Sequence, residues 1–362
     1  MTGIYIHVPF CAGKCPYCDF YSCSYTLKSA EEYKNAVIRN IEVLPNIDAD
    51  TVYFGGGTPS LIPSDFIAEI LDTINIRLNL AEPEITIEVN PCTVTADKLR
   101  AYKRAGVNRI SVGVQSGNNE ELEFLGRRHT FEKAAETVEQ AVNAGFENIS
   151  CDLMIGVKGQ TLEKLEQSIS QITALPVTHI SSYILKIEEN TPFGRNNTEK
   201  LLPDDEQTAQ LYLCSVRLLE AAGFTQYEIS NFSRKGYRSR HNLKYWNCEE
   251  YIGIGPSAHS YYNGRRYYVP ESLESFCTNL VQKKIYEEYH AGTAEEKIML
   301  GLRLTDGICP DDYPALKRKI LKKAENYCTH GLAVFKDGRL RLTPEGFLVS
   351  NSIISDIIYG NV

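Results

Sequence analysis

The sequence predicts an α/β fold, a partial barrel built from six β/α units. Six short runs rich in Ile, Val, Tyr and Thr alternate with amphipathic helical stretches, which is the pattern of buried parallel strands joined by right-handed crossovers. An Ala-Gly pair ends three of the helical stretches, and glycine can adopt the left-handed conformation that ends a helix. The predicted strands cover residues 3–8, 51–54, 84–89, 108–114, 148–155 and 179–186.

Unusual polar residues follow the carboxyl ends of these predicted strands. A cysteine-rich loop, residues 11–18, follows the first strand, and the run GGGTP at residues 55–59 follows the second. Glu88, Gln115 and Asp152 lie at the ends of the next three. The strand pattern alone would also suit a doubly wound sheet. Because barrel enzymes build their active sites on the rim where strands end, this clustering favours one site at the mouth of a barrel.

The sequence pattern changes after about residue 225, and we expect three regions. Residues 1–225 form the barrel, and residues 226–290 form an accessory region dense in Tyr, Gly, Asn and Arg. Residues 291–362 form a small helical module similar to a winged helix, because HGLAVFKDGRLRLTPEGF predicts a β-hairpin with an Asp-Gly turn before a final helix.

Composition and charge exclude several classes of protein. The 362 residues include 38 basic and 46 acidic side chains, a net charge of -8, so nucleic acid is not an expected partner. No apolar run approaches the ~20 residues of a membrane helix, and the N-terminus lacks a secretion signal, so we expect a cytoplasmic protein without stable membrane insertion. The 11 cysteines are then reduced thiols, which act as ligands or as buried apolar groups.

Cys11, Cys15 and Cys18 form the pattern CxxxCxxC, which can hold one compact metal centre. A four-iron cluster with three cysteine ligands would leave one iron open. A tetrahedral zinc ion would need a fourth ligand, for which Cys23 or His7 is a candidate. The spacing favours the iron–sulfur centre over zinc and over three unrelated thiols, because it is not common zinc-finger spacing.

In this context the chain resembles the radical S-adenosylmethionine (SAM) superfamily and, within it, the oxygen-independent coproporphyrinogen III oxidase-like group. The motifs that carry the resemblance are IYIHVPFC, YCDF, VYFGGGTPSL, ITIEVNP, AGVNRISVGVQS, LGRRH, DLMIG, TPFG, YEISNF and HNLKYW. The resemblance implies a TIM-like partial barrel and a [4Fe-4S] cluster on Cys11, Cys15 and Cys18 whose open iron binds SAM. It also implies a SAM site formed by Tyr5, Tyr17, Gly56, Gly57, Thr58, Glu88, Gln115, Arg127 and Asp152.

Two features separate this chain from the oxidases of the group. Phe20 stands where their CxxxCxxCxC pattern has a fourth cysteine, and the first predicted strand starts almost at Met1, without their N-terminal extension. YCDF and the HNxxYW segment, residues 241–246, instead resemble the heme chaperone branch. That resemblance implies heme binding and heme delivery to heme-requiring proteins.

The chemistry of the HNxxYW segment is compatible with heme. His241 offers an imidazole that can ligate heme iron, and Tyr245 and Trp246 offer flat apolar surface. Arg238 and Arg240 are candidates for pairing with the propionates. The alternative is that His241 is simply hydrogen-bonded within an aromatic loop.

The leading prediction is therefore a heme chaperone with a radical SAM core. Its expected partners are heme, heme-accepting proteins and an electron donor for the cluster, and a homodimer is compatible with the sequence. His259 and Cys248 are further candidate heme ligands, for which structural roles are favoured. Two other functions stay open: decarboxylation of coproporphyrinogen III or another radical reaction on a tetrapyrrole, and a metal-stabilised binding protein without radical chemistry. SAM cleavage is not settled by the residues, and coproporphyrinogen oxidase activity is not expected.

Overall fold

The structure is a computed structural model that describes residues 1–287 and 291–360. The upper limit predicted for the accessory region, residue 290, and the last two residues predicted for the C-terminal module, 361–362, lie outside the described residues.

Six neighbouring parallel strands, in chain order, form the centre of a 12-stranded sheet. They are β1 (Thr2–Val8), β2 (Asp48–Gly56), β3 (Asn79–Val89), β4 (Arg109–Gln115), β5 (Asn148–Ile155) and β6 (His179–Ile184). All six predicted strands are present. The second and third are longer than predicted, and the sixth ends at Ile184 rather than at residue 186. The predicted partial barrel of six β/α units is confirmed.

The sheet continues past residue 225. The additional strands are β7 (Thr225–Gln226), β8 (Asn231–Ser233), β9 (Tyr251–Ile254), β10 (His259–Tyr262), β11 (Arg265–Tyr268) and β12 (Ile285–Tyr286). The order is β12-β11-β10-β9-β1-β2-β3-β4-β5-β6-β8-β7, with β9 parallel to β1 and β8 antiparallel to β6. In the described part of the chain the end strands β7 and β12 are not paired with each other, so the barrel is open.

Successive side chains of a strand point to opposite faces, and this decides which of them face the barrel interior. Ile4 and Ile6 of β1 are fully buried in the main hydrophobic core. The intervening Tyr5 points to the opposite face of the strand, where its ring lies 6.2 Å from that of Tyr53 of β2. The interior is therefore lined by polar and aromatic side chains rather than filled by aliphatic ones.

Helices connect the strands of the barrel. Those of the barrel region are α1 (Leu27–Glu42), α2 (Ser64–Arg77), α3 (Ala96–Arg104), α4 (Asn119–Phe124), α5 (Phe131–Asn143), α6 (Leu162–Thr173), α7 (Pro192–Arg195) and α8 (Asp205–Ala221). Gly106, Gly145 and Gly223 have positive φ after α3, α5 and α8, as the Ala-Gly joints predicted. Thr26 caps α1 and forms a reciprocal capping box with Ser29, in which each side chain accepts a hydrogen bond from the backbone amide of the other residue.

The described residues after the barrel region add six helices and a hairpin. They are α9 (Arg240–Trp246), α10 (Leu273–Thr278), α11 (Ala294–Gly301), α12 (Lys317–Thr329), α13 (Pro344–Leu348) and α14 (Ser350–Tyr359), with strands β13 (Ala333–Lys336) and β14 (Arg339–Leu342). Asp337 and Gly338 both have positive φ, so the predicted Asp-Gly hairpin turn is present. Single 3₁₀ turns occupy Pro59–Leu61, Thr198–Leu201 and Pro310–Asp312. Among the helices described, none has the length and apolar character needed to cross a bilayer.

Candidate functional site

The cysteine loop leaves the end of β1 and is fastened to the glycine loop that ends β2. The Gly57 amide donates a hydrogen bond to the Val8 carbonyl over 2.8 Å, and the Thr58 amide donates to the Phe10 carbonyl over 2.8 Å. These bonds continue the pairing of β1 with β2 beyond the strands themselves. The two loops predicted to meet at the rim therefore form one unit.

The three thiols of the cysteine loop lie near residues predicted to bind SAM. Cys11 Sγ is 3.5 Å from Thr58 Oγ1, and Arg127 Nη1 donates to Cys15 Sγ over 3.6 Å. Burial raises the pKa of the half-buried Cys18 thiol, and the neighbouring Cys15 and Cys11 sulfurs raise it further. Cluster or metal binding would have to supply the positive charge that stabilises the thiolates.

We tested whether these residues fit a metal centre. Within residues 1–287 and 291–360, no three His, Cys, Asp or Glu side chains converge closely enough to hold a single metal ion. Both ring nitrogens of His7, the predicted alternative zinc ligand, are hydrogen-bonded, to the Tyr5 hydroxyl at 3.1 Å and the Tyr21 carbonyl at 3.0 Å. Each cysteine of a four-iron cluster binds a different iron, so a loop with three separated thiols is the donor set that such a cluster requires.

The glycine loop packs closely against β1 and the cysteine loop. Gly56 has a φ of +106°, and a Cβ at this position would lie 2.6 Å from His7 Cε1. A Cβ at Gly57 would lie 2.7 Å from the Phe10 carbonyl oxygen. No larger residue fits at these positions, because the space that a Cβ would take is occupied by His7 and by the backbone of the cysteine loop.

Two half-buried carboxyl groups, Glu88 and Asp152, face the barrel interior. Burial raises the pKa of Glu88 to about 7, and the Asp152 carboxyl adds to this effect. The Tyr53 hydroxyl donates to Glu88 Oε1 over 2.9 Å and acts in the opposite direction. Burial raises the pKa of Asp152 to about 6, against the effects of Ser181 and Arg109. Near neutral pH this pair can accept hydrogen bonds from amino and hydroxyl groups.

Arg127 and Gln115 meet above Gly113. A Cβ on Gly113 would lie 2.9 Å from Arg127 Nη2 and 3.2 Å from Gln115 Nε2. Gln115 has a φ of +74°, which is strained for this residue type and turns its side chain at the strand end. Arg127 Nε is buried and has no hydrogen-bond partner among the described residues, so it is free to meet a carboxylate. Tyr17 packs nearby, with its ring 6.4 Å from that of Phe193.

His241 lies deeper in the barrel than the cysteine loop, 1% exposed and near Gly3, where β1 begins. Its ring stacks on those of Tyr53 and Tyr5, with centroids 5.1 and 6.3 Å away, so it adjoins the interior aromatic residues. Nδ1 pairs with Thr51 Oγ1 and Nε2 with the Tyr245 hydroxyl, both over 2.8 Å. Burial lowers the pKa of His241 to about 3. The imidazole is neutral, as an iron ligand must be, but in this conformation neither nitrogen is free.

The two arginines predicted to meet propionates are engaged elsewhere. Arg238 Nη1 lies 3.2 Å from Asp306 Oδ2, and Arg240 Nη2 lies 3.4 Å from Asp50 Oδ2. Arg240 also donates to the Glu82 carbonyl over 2.8 Å. In this conformation carboxylates from other segments pair with both cations, so binding a propionate would require Arg238 and Arg240 to exchange these partners.

Of the further candidate ligands, His259 is exposed and stacks on Tyr268 with ring centroids 5.4 Å apart. Cys248 is buried, with its sulfur 3.9 Å from Glu296 Oε2. Cys23 is half-buried and extends a short parallel ladder with Phe10.

Three charged residues of interest were missed by the sequence analysis. Arg109 is 1% exposed inside the barrel, and its charge lowers the pKa values of both Asp152 and His241. Glu228 is fully buried, and Arg303 lines a cavity beside the HNxxYW helix. The first two carry a signal that could have found them, because NRISV and YEISN place a charge within an otherwise β-like run. Arg303 carries no such signal.

Comparison with known proteins agrees with this architecture. Family models described as the radical SAM superfamily and the HemN C-terminal domain match residues 5–172 and 292–349. The heme chaperone HemW of Bacillus subtilis is 36% identical over 375 residues, which cover 98% of each chain. The heme chaperone HemW of Escherichia coli is 42% identical over 265 residues, covering 71% of this chain and 69% of that one.

A solved structure shows the same fold. Coproporphyrinogen III oxidase (HemN) from Escherichia coli, described as a radical SAM enzyme, superposes with a TM-score of 0.83 at 19% identity, covering 99% of this chain and 90% of that one. At this identity the likeness concerns the fold alone. The full-length similarity to the curated relatives goes further, and this chain belongs to the HemW family of the radical SAM superfamily.

Proposed function

We propose that this protein is a heme chaperone, which binds heme and delivers it to heme-requiring proteins. The observation that carries the proposal is the 36% identity, over 98% of both chains, to a relative named as a heme chaperone. Phe20 supports the same choice, because it is 67% exposed beside the cysteine loop where the oxidases have a fourth cysteine. The protein acts in the cytoplasm under this proposal.

We propose that Cys11, Cys15 and Cys18 would hold a [4Fe-4S] cluster, which would bind SAM and, with an electron from a separate donor, would supply the reducing power for SAM cleavage. The chain's own residues would bind and orient SAM. Arg127 Nε, which has no partner among the described residues, would pair with the carboxylate, and Gly56 and Gly57 would shape the loop beside the methionyl chain. The remaining contacts come from Tyr5, Tyr17, Thr58, Glu88, Gln115 and Asp152.

The acid pair has a defined role in this arrangement. With pKa values of about 7 and 6, Glu88 and Asp152 carry less than two full negative charges near neutral pH. Glu88 keeps the Tyr53 hydroxyl as a donor, so one of its oxygens is held in place. The pair can therefore orient amino and hydroxyl groups of SAM without building up a large negative charge next to the cluster.

For heme itself we propose His241 as an iron ligand, with one condition set by the structure. Nε2 must first lose its hydrogen bond to the Tyr245 hydroxyl. The Thr51 hydroxyl can keep Nδ1 engaged and so hold the orientation of the ring. Ligation therefore requires Tyr245 to move away from Nε2, beside an imidazole that also stacks on Tyr53 and Tyr5.

A hemin titration tests the proposal. We expect the wild-type protein to bind hemin with a shifted Soret band, and His241→Ala to change that spectrum and weaken binding. His330→Ala is the matched control, because this exposed histidine lies at the end of α12. Failure of the wild-type protein to bind hemin would remove the chaperone function, whereas an unchanged spectrum in His241→Ala would remove only this ligand.

The open alternatives have their own assays. A brown anaerobic preparation with about four irons and four sulfides per chain is expected for the cluster, and stoichiometric zinc would contradict it. Consumption of coproporphyrinogen III with SAM under reducing conditions would favour the decarboxylase over the chaperone. Light scattering of the same preparation would report whether the chain forms a homodimer.

A further inference from the structure

A cavity of about 1330 Å³ opens beside β6, on the side of the barrel that the sheet leaves open. Small-molecule sites in proteins commonly have volumes of ~300–1,000 Å³, so this space exceeds what a nucleoside-sized ligand needs. Its walls bring together β6 with the following loop, α8, the segment 228–231, α9, and the C-terminal module around residues 303 and 347–351.

One wall carries a cation that lacks a counter-charge. Arg303 is half-buried, and its Nη2 donates to Asn351 Oδ1 over 2.8 Å. No carboxylate in the described part of the chain lies within ion-pair distance of it, although Arg238, Arg240 and Arg266 each have one. Burial lowers the pKa of Arg303, which is the effect of placing a charge where water is scarce. An anionic group entering the cavity would supply the missing partner.

The aromatic residues of the HNxxYW segment form the adjoining wall. Trp246 and Tyr245 are half-buried and line the cavity. The Tyr245 hydroxyl bonds to His241 Nε2 at 2.8 Å, so this side chain separates the cavity from the buried imidazole. A flat ligand in the cavity would lie on the opposite side of Tyr245 from His241.

The wall nearest the barrel presents buried oxygen atoms. Glu228, Asn231 and Ser182 are among the lining residues, and each is at most 4% exposed. Their Oε1, Oδ1 and Oγ atoms lie beneath the cavity surface, without access to a ligand. The carboxyl group of Glu228 disfavours a ligand carboxylate at this wall. The two walls together would orient a carboxylated ligand with its anionic edge at Arg303.

We infer that this cavity is the binding site for a planar, carboxylated tetrapyrrole, with its carboxylates at Arg303 and its ring against Trp246. The inference rests on the proposed heme-binding function and adds the location and the residue that selects for carboxylates. It also gives the C-terminal module a role, because Arg303 and residues 347–351 close a site whose other walls belong to the barrel and to α9.

The test uses the whole protein and two ligands, hemin and hemin dimethyl ester, whose carboxylates are blocked. Arg303→Gln is expected to weaken hemin binding about tenfold, the order of a lost charge-assisted hydrogen bond. Arg303→Lys, which keeps the charge, should lose less. Both variants should bind the ester as the wild-type protein does. Arg318→Gln, an exposed arginine on α12, is the matched control and should bind hemin normally.

Trp246 is the only tryptophan of the chain and gives a second readout. Saturating protoporphyrin IX, which keeps both carboxylates but lacks iron, should quench its emission almost completely. Three results would each overturn the site while leaving heme binding intact. They are equal hemin affinity in Arg303→Gln and wild type, an equal loss of affinity for hemin and its ester in that variant, and partial quenching of Trp246 at saturation. No hemin binding by the wild-type protein would overturn the proposed function instead.

Discussion

The hydrogen bond between Tyr245 and His241 predicts how a substitution of Tyr245 changes the affinity for heme. Tyr245→Phe removes only the hydroxyl that occupies His241 Nε2 at 2.8 Å. The phenyl ring keeps its edge contact with Tyr251, whose ring centroid lies 4.5 Å away. The substitution therefore removes the hydrogen bond that competes for Nε2 but keeps the ring, which must still move before iron can reach the nitrogen.

The magnitude follows from the burial of the pair. A buried hydrogen bond contributes about 0.5–1.5 kcal/mol net, and an unpartnered buried nitrogen costs about 1–3 kcal/mol. We therefore expect Tyr245→Phe to lower the free energy of unfolding of the ligand-free protein by that second amount. If iron takes Nε2, this cost is relieved on binding, and heme affinity should rise by about fivefold to about a hundredfold, since ~1.4 kcal/mol is a factor of ten.

The assay is a hemin titration followed at the Soret band, with chemical denaturation of the ligand-free variants alongside. Tyr359→Phe is the matched control, because that tyrosine is 74% exposed. The double variant Tyr245→Phe/His241→Ala should lose the gain in affinity. Weaker hemin binding by Tyr245→Phe, or an equal gain in the double variant, would refute ligation by His241.

Three further predictions concern the rest of the site. Cys15→Ser should abolish the iron–sulfur absorbance, whereas Cys23→Ser should keep it. Gly57→Ala should weaken SAM binding in a calorimetric titration, because its Cβ would lie 2.7 Å from the Phe10 carbonyl oxygen and displace the loop. Unaltered affinity would exclude a role of the glycine loop in SAM binding. Burial raises the folded-state pKa of Glu228 from 4.5 to about 7. The folded protein therefore holds this proton more tightly than the unfolded chain. The stability that this provides is fully present below about pH 4.5 and is lost as the pH rises through 7, where the buried carboxyl group ionises. Glu228→Gln should therefore gain up to about 3 kcal/mol over wild type between pH 4.5 and 8, and a constant difference in denaturation free energy would contradict this.

Several features of the site could be predicted because their signals are local. The CxxxCxxC spacing confines Cys11, Cys15 and Cys18 to one short loop, whatever surrounds it. The glycine run could also be placed next to that loop, because consecutive parallel strands end at the same edge of a sheet. The structure brings the two loops together through backbone bonds at Gly57 and Thr58.

Other features could not be predicted, because they depend on which distant segments meet. Arg240 has the chemistry to bind a propionate, but its partner Asp50 is 190 residues away in the chain and already pairs with it. Arg303 gives no local signal, yet it lies half-buried in the cavity wall, with no carboxylate of residues 1–287 or 291–360 at ion-pair distance.

The sequence by itself determined the six-fold β/α pattern, the cysteine loop and the family, since strand periodicity and short spacings are properties of neighbouring residues. Only the tertiary structure decided that the His241 ring is buried and that both of its nitrogens are hydrogen-bonded. Its two hydrogen bonds join it to Thr51 and Tyr245, which are 190 and 4 positions away, and its burial results from packing of α9 against β1 and β2. A motif can show that an imidazole is present, but the free energy of exposing its nitrogen depends on the contacts that the folded chain makes around it.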